Sequence, residues 1–320
     1  MNKTKIWLIV AVALILVGLI IFAGVMTMLK WDFSKLSTEK YVTNEYTVRE
    51  KFEKIIIRTK TADVKLIPAE NPETTVVCYE ADNARHIVDV TDSSLSIELH
   101  DNRKWYDHIG INFSSPKVTV YIPEGKYTSL SVKTSTGTVN IPNNFSFESI
   151  DISGNTGSIT CNSSAADNIK IKNSTGSIKL ENVSAGNIDI ELTTGKVTLA
   201  GIICKNDISM ETSTGKTELS NVKCKNLISE GDTGSVSLKN VLASEKFEIE
   251  RDTGNVIFDE CDAAELYVET DTGDVSGSLL TSKIFMAESD TGKVDVPRTV
   301  DGGRCVISTD TGDIKISILS

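Results

Sequence analysis

Five Asp-Thr-Gly tripeptides, at Asp232, Asp252, Asp271, Asp290 and Asp310, bring this 320-residue chain nearest to a familiar chemistry. In aspartic proteases one such loop from each of two lobes supplies a carboxylate, and the pair shares a proton. That work needs two loops; here there are five, spaced 19 or 20 residues apart. Ser135, Asn155, Ser174, Thr193 and Ser213 hold the same place earlier in the chain. All four residue types carry a short side-chain acceptor able to cap turn N–H groups, so the position reads first as a turn. Carboxylates stacked about 4.8 Å apart would repel one another unless a cation compensates, and calcium favours carboxylate and carbonyl oxygen. The five aspartates are therefore calcium candidates, although no nonapeptide calcium-roll pattern accompanies them.

The other reactive side chains are less suggestive. The six cysteines are Cys78, Cys161, Cys204, Cys224, Cys261 and Cys305. None forms a C-x-x-C, which argues against zinc. His86, His100 and His108 fall in one stretch with no serine or cysteine motif beside them. Trp105 and Tyr106 lie in a mixed cationic, aromatic and acidic segment, Arg103–Ile109. They form a contact loop or fold back as a plug, since large aromatics usually bury.

What must position these residues is a repeat. Thr-Gly occurs ten times between residues 129 and 320, with glycines at 137, 157, 176, 195, 215, 234, 254, 273, 292 and 312. Seven and five residues before each glycine, and two and four after it, stand apolar residues with few exceptions; around Gly195 they are Ile188, Ile190, Val197 and Leu199. Apolar-x-apolar is the period of a strand with one buried face. A unit of 20 residues cannot bury that face alone and must stack on copies of itself. The expectation is an all-β parallel β-solenoid, right-handed, of about eleven coils, with glycine supplying the corner. Small residues recur nine places after the glycine. Cys204 and Cys224 share that place in successive units and would lie about 5 Å apart, within disulfide range. Ala185, Ala243 and Ala263 occupy it elsewhere, so a small buried filler also suffices. Cys161 and Cys305 replace core aliphatics.

Residues 1–30 read as a transmembrane anchor. Lys3 and Lys5 precede an uncharged run from Ile6 to Leu29, closed by Lys30, with Trp7 and Trp31 at its ends. About 20 apolar residues span a bilayer core, and indoles favour its interfaces. Ala23-Gly24 is the only weak cleavage candidate for the alternative, a signal peptide. The large domain is expected outside the cytoplasm. Residues 31–49 read as a spacer. Residues 50–128 hold a degenerate first coil, in which Ala62 takes the glycine's place, and an antiparallel β insertion that caps it. The repeats fill 129–320, and their final edge is expected to rely on acidity or a partner. Residues 227–320 hold 19 acidic and 8 basic residues, which accounts for the whole net charge of −11. Such a balance argues against nucleic acid and favours solubility and protection of strand edges.

The anchor, the segment Ile55–Pro68, the segment Arg103–Ile109 and the repeated Thr-Gly-x-Val/Ile units together resemble the bacterial "putative adhesin" family of β-strand-repeat proteins. That is a domain of unknown function that includes LiaG-like proteins linked to envelope stress. The resemblance covers about residues 50–320. It implies a β-solenoid on the outer side of the membrane, no described catalytic residue and no cofactor. The expected function is a membrane-anchored, non-catalytic surface or envelope module with a protein or polysaccharide partner. Two alternatives stand: a carbohydrate-active β-helix enzyme, and a regulator of a membrane partner. The enzyme reading meets outward positions that are mostly Ser, Thr, Asn, Lys and Asp, with Tyr267 the outward aromatic among them.

Overall fold

A computed structural model describes residues 3–32, 40–104 and 114–319. Trp105, Tyr106 and His108 lie outside the described residues. Among the described residues a single helix, Lys3–Met28, is followed by strands. Its first and last turns carry no acidic residue and no basic residue, respectively, and its apolar side chains are exposed on every side save at Met26, which is buried. It is the one described helix long and apolar enough to cross a membrane.

From Lys54 onward the chain winds into the expected solenoid. Neighbouring repeats pair parallel and in register, as in Ile188↔Ile208, Gly195↔Gly215 and Leu199↔Leu219. The anticipated inward positions are buried along the stack, including Ser229 and Thr217 where the apolar pattern lapses. One further inward position, three residues before the glycine, escaped the sequence pattern. Thr134, Asn173, Thr212, Arg251, Thr270 and Thr309 occupy it and are buried. Several of these hold the adjacent corner: Asn173 Nδ2 donates to Gly157 O at 2.9 Å, Thr270 Oγ1 to Gly254 O at 3.2 Å, and Thr309 Oγ1 to Gly273 O at 3.1 Å.

The Thr-Gly corner works by close approach. Gly195, Gly215 and Gly234 have φ of 145°, 147° and 139°, a region closed to other L-residues. A Cβ on Gly215 would overlap the carbonyl of Gly195 in the preceding coil. A second corner lies six residues on, where Asn182, Gly201, Asn221, Asn240 and Glu260 take φ of 50° to 66°. Asparagine tolerates this left-handed conformation, and here it also stacks, Asn240 Nδ2 donating to Asn221 Oδ1 at 2.7 Å. Beyond that corner the residues seven places after the glycine form a further buried apolar station, at Val183, Ile202, Val222, Val241 and Cys261.

Both ends depart from sequence order. The degenerate first coil, Lys54–Arg58 with Asp63–Pro68, lies between the first repeat and a further rung built from Ser94–Asp101 and Lys117–Ile122. The insertion is thus only partly antiparallel. Leu95, Ile97, Val118, Val120 and Ile122 have the inward alternation of a coil, so their strands extend the parallel columns. The antiparallel strands Thr74–Ala81 and Ala84–Thr91 cover that rung, and Tyr41–Val48 pairs with the former. Part of the stretch read as a spacer is therefore a strand.

At the other end the last repeat is inserted inside the penultimate one. Glu265–Thr272 pairs with Gly303–Thr311, which in turn pairs with Lys283–Thr291. The corner amides follow: Gly273 N donates to Thr311 O at 2.9 Å and Gly312 N to Thr291 O at 3.1 Å. Gly302-Gly303 allows the threading, since a Cβ on them would meet the carbonyls of Ser282 and Ala264. The coil with no described strand beyond it is the one around Gly292, not the one ending the sequence. Its inward residues betray the position: Phe285, Ala287 and Val296 are half-buried and Val294 is 43% exposed.

Two outcomes test this architecture. Gly215→Ala should destabilise the solenoid by at least ~1–3 kcal/mol in denaturant unfolding, while the exposed neighbour change Lys216→Ala stays within ~0.5 kcal/mol. In the intact chain Glu269 stands beside Ser308, and Ser308 beside Glu288. A Glu269→Cys, Ser308→Cys pair should therefore cross-link under mild oxidation, while Glu269→Cys with Glu288→Cys should not; a simple sequential stack would reverse the two results.

Candidate functional site

The repeats themselves gather no chemistry. Asp232, Asp252, Asp271, Asp290 and Asp310 are all exposed. The threading orders them 232, 252, 271, 310, 290 along the stack. They belong to no trio of converging ligand atoms among the described residues. The side chains that grip neighbouring turns lie three residues further on. Asn255 Oδ1 accepts from Asp274 N at 2.9 Å, Asp274 Oδ1 from Asp313 N at 2.8 Å, and Asp313 Oδ1 from Lys293 N at 2.8 Å. Tyr267 lies under two cations, Lys246 Nζ at 4.8 Å and Arg304 Cζ at 5.6 Å from its ring centre. A ring engaged in this way is not an open platform for a sugar.

The cysteines are free and buried. Cys204 Sγ donates to the Gly186 and Asp207 carbonyls at 3.4 and 3.3 Å, and Cys224 stands in register with Ala243. The small-filler reading describes both, and the 204–224 bridge is not formed. Burial pushes the Cys161, Cys224 and Cys305 thiols up to about 12, which leaves them protonated and inert. Arg251 is a cation inside the core. Its Nη2 donates to Ser229 Oγ at 2.7 Å and its Nη1 to Ser229 O at 3.1 Å, over the space left by Gly231. Burial lowers it to about 10.

The convergent cluster lies in the cap. Val76, Cys78 and Glu80 alternate on the inward face of Thr74–Ala81. A tight turn at Asp82-Asn83 follows, where Arg85 pairs with Asp82, and Ala84 and His86 then face inward. Cys78, Glu80 and His86 are 0%, 1% and 2% exposed. Glu80 Oε2 lies 2.6 Å from His86 Nδ1 and accepts the His86 backbone N–H at 2.7 Å, while Oε1 accepts from Asn44 Nδ2 at 2.6 Å. His86 Nε2 lies 3.1 Å from Thr59 Oγ1 on the far side of its ring. Burial raises the Glu80 carboxyl, but the hydrogen bonds from His86 and Asn44 outweigh it and hold the group below its usual value. Burial first, and the nearby Glu80 carboxylate second, push the Cys78 thiol up to about 12.

Hydroxyl, imidazole and carboxylate in a row have the connectivity of an acyl-transfer triad. The surroundings deny that use. The adjoining cavity, lined by Thr59, Glu80, His86, Tyr41 and Arg103 among others, measures about 20 Å³. That is room for one water, not for a scissile carbonyl beside Thr59. Nearby, Arg103 grips Asp101 through Nε at 2.8 Å and Nη2 at 2.9 Å, with Lys60 Nζ at 3.1 Å. Sequence reasoning set His86 aside for lack of a neighbouring motif. The signal available was a Glu in the inward register of Val76-x-Cys78-x-Glu80, followed across a turn by an inward His.

The cluster makes the cap sensitive to acid. The folded Glu80 titrates below its unfolded counterpart, so its stabilisation is complete above roughly pH 4.3 and drains away as pH falls towards the depressed folded value. Asp101, held down chiefly by Arg103, has the same sign. Thermal melting followed downward from pH 7 should therefore show a steeper loss below about pH 5 in the wild type than in Glu80→Gln. Parallel curves would remove Glu80 as the cause.

No curated protein matches this sequence. Solved structures similar to it include a "putative lipid binding protein" from Parabacteroides distasonis, at 13% identity and a TM-score of 0.44, covering 88% of this chain and 98% of that one. A "putative adhesin" from the same organism matches at 12% identity and TM-score 0.39, over 87% and 98% of the two chains. Another from Bacteroides fragilis matches at 12% identity and TM-score 0.30, over 88% and 99%. A family model described as Toastrack DUF4097 matches residues 52–211 and 203–320, which takes in the first coil, the cap and every repeat, and the chain belongs to that family.

Proposed function

We propose that this protein is a membrane-anchored, extracytoplasmic and non-catalytic module, a rod that holds its far end ready for a protein or polysaccharide partner. The observation that carries the reading is the helix Lys3–Met28, apolar and, save for Met26, exposed on every side. A helix of 26 residues is ~39 Å long, enough to cross a bilayer core. In water such a surface has no partner; in lipid it needs none. Asp32 and Lys40 are eight residues apart, which tethers the capped end of the solenoid within ~28 Å of the helix.

The rest of the chain suits a rigid presenter. Parallel rungs about 4.8 Å apart give ten repeats a length of ~50 Å. The capped end is the one near the anchor. At the distal end the coil around Gly292 has a half-open interior and unpaired strand edges among the described residues, and residues 227–320 carry the net negative charge. The buried polar groups are spent on holding corners, and the triad-like cluster has no substrate room. These features support presentation over turnover.

Protease added to intact cells should degrade the solenoid and leave a membrane-embedded stub, and deletion of residues 3–28 should release the solenoid from the membrane fraction. A solenoid cut only after permeabilisation would put it on the cytoplasmic side. Release without the deletion would mean the helix is not an anchor.

A further inference from the structure

We propose that Cys78, Glu80 and His86 form a binding site for a divalent transition-metal ion of zinc's class. Their ligand atoms, one thiol sulfur, one carboxylate oxygen and one ring nitrogen, lie within 4.8 Å of one another. Tetrahedral zinc at about 2.3 Å from sulfur and 2.0–2.2 Å from nitrogen and oxygen sets its ligands some 3.2–3.7 Å apart. The trio therefore needs adjustments of about an ångström. At the 2.6 Å contact of Glu80 Oε2 with His86 Nδ1 the two atoms part as the ion replaces the shared proton.

The supporting groups are already those of a metal centre. Ligating histidines usually donate their second ring N–H to a fixed acceptor, which sets the tautomer. Thr59 Oγ1, 3.1 Å from His86 Nε2, is placed to accept that N–H once the ion has taken Nδ1. Asn44 Nδ2 and the His86 backbone N–H fix the carboxylate. Cys78 is fully buried, and its sulfur makes no hydrogen bond among the described residues.

Charge balance also favours the ion. On binding, the Cys78 thiol and the Glu80–His86 contact give up their protons to solvent or, for a neutral imidazole, to Nε2. One thiolate and one carboxylate then cancel the two positive charges, so no net charge is buried. A thiolate and an imidazole select zinc, cobalt or nickel over magnesium and calcium, which prefer oxygen. The five exposed aspartates offer the opposite chemistry.

Cobalt(II) is the probe, titrated into the full chain in detergent after chelator stripping. The expected result is one ion per chain with a thiolate-to-cobalt charge-transfer band, displaced by zinc(II). Cys78→Ala should abolish the band, and Thr59→Val should keep it while weakening affinity ~10–100-fold, as for lost second-sphere partners. Circular dichroism and melting of each metal-free variant control for folding. If Cys78→Ala does not fold, Glu80→Gln replaces it and must weaken binding at least tenfold. No charge-transfer band, or one unaffected by both the Cys78 and Glu80 changes, overturns the proposal.

Discussion

Everything in this molecule depends on how closely one backbone corner can approach the next. At each Thr-Gly step the α-carbon faces the carbonyl of the corner residue one coil away, a glycine everywhere but at Ala62, with no space for a Cβ. That contact keeps successive coils in register without slippage. A register shift of one residue would turn every inward side chain outward. Because the corner is fixed, Ile188 lies on Ile208 and Leu199 on Leu219, and the columns of aliphatics follow as a consequence. The polar column three residues before the glycine serves the same contact from inside. Asn173, Thr270 and Thr309 in that column bond the glycine carbonyl of an adjacent corner from inside.

A stack of near-identical rungs has to solve its ends, and this chain does so by the same device twice. At each end the coil that would be outermost by sequence is drawn in by one place, and a neighbour folds over it. At the end nearer the N-terminus the outer rung then carries antiparallel strands that close the interior. At the distal end nothing described closes it, and Phe285, Ala287, Val294 and Val296 stay partly open. The asymmetry gives the rod a finished end and an available one. Drawing the last coil inward also shields its core residues: Cys305, Ile307, Ile314 and Ile316 are buried although they come last.

The periodic part of this structure was legible because each unit repeats the same local bargain between strand, glycine and strand. Positions such as Ile190 and Val197 could be placed inside from spacing alone. What spacing could not reveal is which unit sits beside which. Glu265–Thr272 is as compatible with Lys283–Thr291 as with Gly303–Thr311, because the inward residues of all three are alike; only the Gly302-Gly303 pair hinted at threading. The aspartates before Thr-Gly drew attention by their number, yet the gripping acceptors are Asn255, Asp274 and Asp313, whose position elsewhere holds Ser, Thr or Lys. The left-handed corner residues Asn182, Gly201, Asn221 and Asn240 were present as a 19- or 20-residue echo and went unread.

The Cys78–Glu80–His86 cluster was hidden for a different reason. Metal motifs read from sequence assume that ligands lie close together on a loop, as in C-x-x-C. Here two ligands come from alternate residues of one strand and the third from across a turn, with the supporting Thr59 drawn from a different coil altogether. Only the fold brings Thr59 to within 3.1 Å of His86. The repeats, each bound to supply the same corner, have no freedom to build an irregular site. The insertion is released from the period, and that release is why a concentrated, fully buried set of ligand-type side chains forms in the cap and not along the rod.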